Sequence, residues 1–191
     1  MRITAGTLGG RALATPADNR VRPTSDKVRQ AIFNILAHND FVTLEGARVA
    51  DLFAGTGAMG IEALSRGAKF CLFVEDAAES RALIRQNVET FHLTGVTKIW
   101  RRDATDLGPM SAGAGGPFDL VFLDPPYRKN LIAPALKSLR DGGWLAPNAI
   151  LVSECAEEER VAAEGFEILD DRVYGETRVI VLGRSQNSSA R

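Results

Sequence analysis

Residues Val49 to Gly60 restrict this 191-residue chain more than any other segment. Val49-Ala-Asp-Leu-Phe-Ala reads as an apolar strand, Gly55-Thr56-Gly57 as a tight turn, and Ala58 to Arg66 as a helix. Glycines at 55 and 57 let the backbone turn sharply and bring a ligand close to bare amides, while the helix start offers unpaired N–H groups. A second apolar strand, Phe70-Cys-Leu-Phe-Val74, ends on Glu75. That lies about twenty residues past Gly55, the offset at which such units set a carboxylate against ribose hydroxyls. The unit therefore points to a nucleoside-bearing ligand.

Asp51 narrows the ligand further. A dinucleotide site ordinarily reaches its first glycine straight from an apolar strand, whereas here an acid stands four residues before Gly55, with Phe53 between them. A carboxylate there can face a cation, and S-adenosylmethionine carries both a sulfonium and an amino group. This favours the methyl donor over NAD. Asp76 follows Glu75, and the third apolar run, Val96 to Trp100, leads through Arg101-Arg102 into Asp103-Ala104. Asp103 would accept from the adenine amino group, although the same residue also fits a helix N-cap.

A further apolar run, Asp119 to Leu123, delivers Asp124-Pro125-Pro126-Tyr127 at its end. An exocyclic amine on a base is a poor nucleophile because its lone pair is delocalised into the ring. A carboxylate and a main-chain carbonyl that both accept from the NH2 group would localise that pair, and tandem prolines hold the backbone that presents the carbonyl. Asp124 and the Pro125 carbonyl are the candidates, with Tyr127 as a face on which an extruded base stacks. Alternatively, the prolines merely end a strand and Tyr127 caps the core.

The motifs Arg22-Pro-Thr24 with Val28-Arg29 and Phe33, Asp51 to Gly57, Gly60 to Ala68, Glu75, Asn87, Asp103, Asp124 to Tyr127, Glu154 and Tyr174-Gly175 run along nearly the whole chain. In this order they resemble the RsmD-type bacterial 16S ribosomal RNA guanine N2-methyltransferases. The resemblance implies a class I, Rossmann-like fold dependent on S-adenosylmethionine, with Thr24 and Arg29 closing over the methionine part of the cofactor. It also implies 16S ribosomal RNA, in a small-subunit assembly particle, as the partner. A simple N-cap for Thr24 and a solvent-exposed helix charge for Arg29 are the plainer alternatives. Gly108 to Pro117 is a Gly/Ala/Ser-rich departure, read as a longer loop before the catalytic strand.

Alternating elements predict an α/β fold. Strands near 48–53, 70–75, 96–101, 118–123 and 148–153 alternate with helices near 58–66, 77–91 and 130–140, the arrangement of a mainly parallel sheet with ligands at its carboxyl ends. A hairpin over residues 1–14, turning at Gly9-Gly10, and a helix from near Thr24 form an N-terminal extension through residue 40. Residues 166–174 and 177–183 form a closing hairpin that supplies the antiparallel C-terminal strand, so 1–184 reads as one domain and 185–191 as a frayed tail. Ile84, Asn87, Val88 and Phe91 make the buried stripe of the second helix of the sheet region.

Net charge is −1, but it is unevenly spread. Residues 1–30 hold Arg2, Arg11, Arg20, Arg22, Lys27 and Arg29 against Asp18 and Asp26, a surplus of +4. With Arg128 and Lys129 at a strand end, this reads as a phosphate-gripping arm. Cys71 and Cys155 lack C-x-x-C spacing and are expected to be buried thiols, and His38 and His92 to close helices without binding zinc. No run approaches membrane-spanning length and no signal segment opens the chain, so a cytoplasmic monomer is expected, with no metal. Three rivals remain: methylation of adenine N6 in RNA or DNA, a nicotinamide-dependent oxidoreductase, and an RNA-binding module without activity.

Overall fold

The computed structural model describes residues 1–17 and 24–186. One seven-stranded sheet organises them: β1 (Arg48–Leu52), β2 (Phe70–Val74), β3 (Thr97–Trp100), β4 (Phe118–Leu123), β5 (Leu145–Ala156), β6 (Phe166–Tyr174) and β7 (Thr177–Arg184). Its spatial order is β3-β2-β1-β4-β5-β7-β6, parallel from β3 to β5, with β7 antiparallel to both of its neighbours. The helices are α1 (Asp26–His38), α2 (Ala58–Ser65), α3 (Ala78–Thr90) and α4 (Ile132–Asp141). The mainly parallel α/β fold and its closing hairpin are as the sequence predicts.

Strand periodicity places the core on both faces, because successive side chains point to opposite sides of a sheet. Val49, Phe73, Leu120, Phe122, Ile150, Val152, Val179 and Val181 pack with Ile32, Phe33, Ile61 and Ile84 of α1, α2 and α3. The intervening residues Ala50, Leu72, Val121, Leu151 and Ile180 pack with Ile132, Leu136 and Leu139 of α4 and with Trp144. Gly60 shows how close the first of these layers is: a Cβ there would lie 2.5 Å from both Cys71 Sγ and a Phe73 ring carbon, so a larger residue must displace those side chains or the helix. Cys71 and Cys155 are buried free thiols.

Several predicted boundaries move. The 1–14 hairpin forms a single bridge, Arg2 to Ala12, because residues 5–10 are spent on turns that meet Ser65 on α2. β5 begins at Leu145 and not near 148. Asp103 caps no helix; its Oδ1 accepts from the Thr105 amide and hydroxyl at 2.8 and 2.7 Å, an Asx turn. The Gly108–Pro117 loop is packed, with Trp144 Nε1 donating to Gly108 O at 2.8 Å and the Met110 amide to Gly142 O at 2.9 Å. His38 is the last residue of α1, and His92 follows the C-cap Phe91 of α3 with a φ of 57°. Most of the expected C-terminal tail, 187–191, lies outside the described residues. No helix among the described residues is long and apolar enough to cross a membrane.

Candidate active site at the sheet switch point

The strand order reverses between β1 and β4, and open parallel sheets bind ligands outside the strand ends at such a point. Side-chain alternation decides what lies there. Val49 faces α2, so Asp51, two residues on, faces the same way; Phe122 brings Asp124 to that face at the end of β4, and Val152 brings Glu154 there from β5. Three carboxyl groups thus converge on one face of the sheet. Burial pushes Asp51 well above the ordinary carboxylate range, with the charges of Asp124 and Glu75 adding to it. Burial likewise lifts Asp124 to about 6, against the opposing pull of a Thr24 hydrogen bond.

Asp51, only 2% exposed, accepts the Gly60 amide at 3.0 Å and so pins the first turn of α2. Glu75 spans the glycine turn: one oxygen accepts the Gly55 amide at 2.8 Å, the other the Ala77 amide at 2.9 Å. Gly55 has a φ of 57° and nothing within 4 Å of where its Cβ would be, so the turn opens onto free space. Gly57, at φ 80°, backs onto Phe73 and Ile84 instead. Phe53 also takes a positive φ, 55°, and is half-buried, as Glu75 is. Thr56 is buried; its carbonyl accepts from Asn87, which also clasps Ala14 through both its amide and its carbonyl. Asp76 and Asp103 are exposed past the ends of β2 and β3, and Ala104 is buried.

Thr24 reaches this cluster from the N-terminal segment. Its hydroxyl donates to Asp124 Oδ2 at 2.8 Å and lies 3.3 Å from Glu154 Oε1. The N-cap of α1 is Ser25, whose side chain accepts the Val28 amide, so Thr24 is free for the site. Arg29 departs from the plainer reading given to it. It is fully buried and not a solvent-exposed helix charge, and its Nε donates to Glu62 at 3.1 Å while Nη2 donates to Asp26 and to the Arg2 carbonyl. Those bonds hold the N-terminal segment against α2. Its Nη1 has no partner among the described residues.

Pro125 is buried and Pro126 exposed, so the prolines turn the chain outward just beyond Asp124. Tyr127 is half-buried, and its hydroxyl lies 2.9 Å from Thr177 Oγ1 at the start of β7. This bond orients the ring from a second element. Of the residues read as RNA contacts, Arg2 is exposed and donates to the Gly10 carbonyl, and Arg11 lies over the Phe91 ring at 4.6 Å. Arg128 is exposed but paired with Glu158 at 2.6 Å, while Lys129 is exposed beside it. Arg20 and Arg22 lie outside the described residues. Sequence reasoning gave no role to Glu62 or Thr177; a polar residue at a helix position otherwise flanked by apolar ones was the only signal for Glu62.

A buried cluster of acids that has, among the described residues, the Arg29 guanidinium nearby, itself occupied by Glu62 and Asp26, has the acceptor chemistry to receive a cationic ligand. The open glycine turn and the Glu75 carboxylate add room and acceptors for a nucleoside. Comparison with known proteins places the chain among relatives. Residues 1–183 match the family described as Conserved hypothetical protein 95. Ribosomal RNA small subunit methyltransferase D of Escherichia coli K12 is 38% identical over 159 residues, covering 83% of this chain and 76% of that protein. The Haemophilus influenzae protein of the same name is 31% identical over 178 residues, covering 92% and 89%. The solved structure of the E. coli protein yhhF superimposes with a TM-score of 0.79 at 31% identity, covering 97% of this chain and 98% of that one.

Proposed function

The chain belongs to the Conserved hypothetical protein 95 family, and from that premise we propose that it methylates the exocyclic N2 amine of a guanine in small-subunit ribosomal RNA. The observation that carries the reading is the position of Asp124-Pro-Pro-Tyr127. It stands at the switch point of the sheet, beside the glycine turn and the acids that suit S-adenosylmethionine. That donor, when bound, supplies an electrophilic methyl carbon on a sulfonium.

Each group of the chain then has a part. Glu75, steadied by the Gly55 and Ala77 amides, holds the nucleoside beside the open glycine turn, and Asp51 answers the positive charge of the methionine part. Asp103 and Ala104 border the adenine. Asp124 and the Pro125 carbonyl accept from the amine, drawing its lone pair out of the ring, and Asp124 takes the proton released as the new N–C bond forms. Tyr127, braced by Thr177, offers the stacking face for the extruded base. With the donor bound, acceleration would come mainly from Asp124, the Pro125 carbonyl and Tyr127 orienting the amine toward the methyl group.

Residues 1–184 work as one domain, with 1–40 an extension tied to α2 through Arg29 and Glu62. The same basic segment meets RNA in an assembly particle, where the protein acts as a monomer. The test is methyl transfer to small-subunit particles from cells lacking the enzyme, with the product nucleoside identified by mass spectrometry. N2-methylguanosine is the expected product; a methyl group on adenine N6 overturns the assignment.

A further inference from the structure

We propose that Glu154 is an un-ionised carboxyl that points the Thr24 hydroxyl at Asp124, and so acts as a positioning residue for the base of the transfer. This rests on the methyl-transfer reading above for its role, but not for its proton count. β4 and β5 run parallel with Leu123 opposite Ser153, so the next residues, Asp124 and Glu154, emerge side by side on one face. Thr24 bridges them at 2.8 and 3.3 Å.

A hydroxyl has one proton and can donate one bond. The shorter contact takes it to Asp124. With that proton spent on Asp124, the second contact becomes a full hydrogen bond when Glu154 carries a proton and donates it to Thr24 Oγ1; with Glu154 ionised, two carboxylates would compete for one hydroxyl proton. Burial chooses which acid keeps the proton, since Glu154 is 3% exposed and Asp124 sits at the rim of the site. The groups acting on Glu154 agree in balance. Burial raises its pKa most, Asp124 and Asp51 raise it further, and the opposing pulls come from Thr24 and from Arg29, whose charge Glu62 and Asp26 already share. Two carboxyls at one site do not both ionise readily.

The resulting chain runs from Glu154 O–H to Thr24 Oγ1 and from Thr24 O–H to Asp124. It stabilises the Asp124 carboxylate without placing a second negative charge beside it. In the transfer, the amine lone pair forms the N–C bond, the C–S pair goes to sulfur, and one proton passes from nitrogen to Asp124. Glu154 keeps its own proton throughout.

The test has a spectroscopic arm and a kinetic arm. With carboxyl-labelled glutamate in the cofactor-free protein, one carbon resonance should remain at the un-ionised position at neutral pH and vanish in Glu154→Gln. Should that variant fold poorly, Glu154→Asp assigns the resonance. In single-turnover transfer, Glu154→Leu should slow the reaction about tenfold, the worth of a hydrogen bond to a charged group. Glu154→Gln, whose amide can still donate to Thr24, should restore most of that loss and leave the acid limb of the pH–rate profile in place. Thr24→Val should move that limb upward, because Asp124 loses its donor. Titration of every glutamate in the ordinary range overturns the proposal, as does an acid limb that falls in Glu154→Gln, the sign of a removed negative neighbour. Since the resonance is read without methyl transfer, a wrong substrate assignment leaves this arm standing.

Discussion

Arg29 and Glu62 form an ion pair with both side chains fully buried, Nε to Oε2 at 3.1 Å, joining α1 to α2 across the base of the candidate site. Glu62 also accepts the Thr4 amide and hydroxyl, the Ala5 amide and Arg66 Nε. Three of the five donors on this carboxylate belong to Thr4 and Ala5 and tie the first residues of the chain to the helix that follows the glycine turn. A buried pair of this kind adds little net stability against an apolar replacement, but losing one partner strands the other.

Glu62→Ala should therefore cost about 3–5 kcal/mol, read by denaturant unfolding. The pH dependence has a definite sign. Burial alone would raise the Glu62 pKa, but the bonds from Thr4, Arg66 and Arg29 outweigh it and hold the group below its ordinary 4.5. Its contribution is present above that value and is lost as the pH falls toward the lower folded value. Wild type should lose stability over that acid range more steeply than Glu62→Gln.

Asp51→Asn should weaken S-adenosylmethionine binding by about 1.5–3 kcal/mol while keeping the fold, since the amide oxygen can still accept the Gly60 N–H. Glu75→Ala should weaken it similarly, with added loosening of the turn, because the Gly55 and Ala77 amides lose their acceptor. Unchanged affinity in both variants by calorimetry withdraws the pocket assignment.

Asp124→Ala should abolish most turnover with little change in donor affinity, measured by single-turnover transfer and calorimetry. In the wild type, activity should fall as the pH drops below about 6, where burial leaves Asp124 protonated. Stability moves the opposite way. A pKa raised from 3.8 to about 6 gives a contribution present below 3.8 and lost as the pH rises through 6. Asp124→Asn, having no charge to bury, should exceed the wild type above pH 6 by up to ~3 kcal/mol, and the difference should close in acid.

Tyr127→Ala should cost about 1–3 kcal/mol in transition-state stabilisation through the lost stacking face. Tyr127→Phe keeps the ring but frees it from Thr177, so a smaller loss of about 0.5–1.5 kcal/mol is expected, matched by Thr177→Val. Equal effects of the Phe and Val variants, with no further loss when they are combined, would show that the bond acts by orienting the ring.

Arg20→Ala with Arg22→Ala should flatten the salt dependence of RNA binding by about one unit of slope per lost phosphate contact, with donor affinity nearly unchanged. Arg128→Ala should change the slope less, because Glu158 already pairs with that guanidinium at 2.6 Å. Binding curves across a salt series decide between them.

Much of the site was legible as local pattern. The glycine turn, the acid at the end of β1, the acid past β2 and the Asp-Pro-Pro-Tyr run each lie within a few residues of a strand end, and strand ends can be read from apolar runs. The buried stripe of α3, Asn87 included, followed from helical spacing in the same way. What could not be read was long-range pairing. Arg29 lies on a helix whose neighbours include charged residues, and nothing local tells a solvated arginine from one buried against Glu62, 33 positions away.

The sequence by itself determined which residues face each side of the sheet and which acids end its strands, because side-chain alternation and backbone turning are properties of adjacent residues. Only the tertiary structure decided that Thr24, 100 positions before Asp124, spends its hydroxyl on that carboxylate, that Thr177 steadies Tyr127, and that Glu154 shares the site. Those contacts depend on strand order and on the register of β4 against β5, which are set by how the whole core packs and leave no mark in any short stretch of sequence.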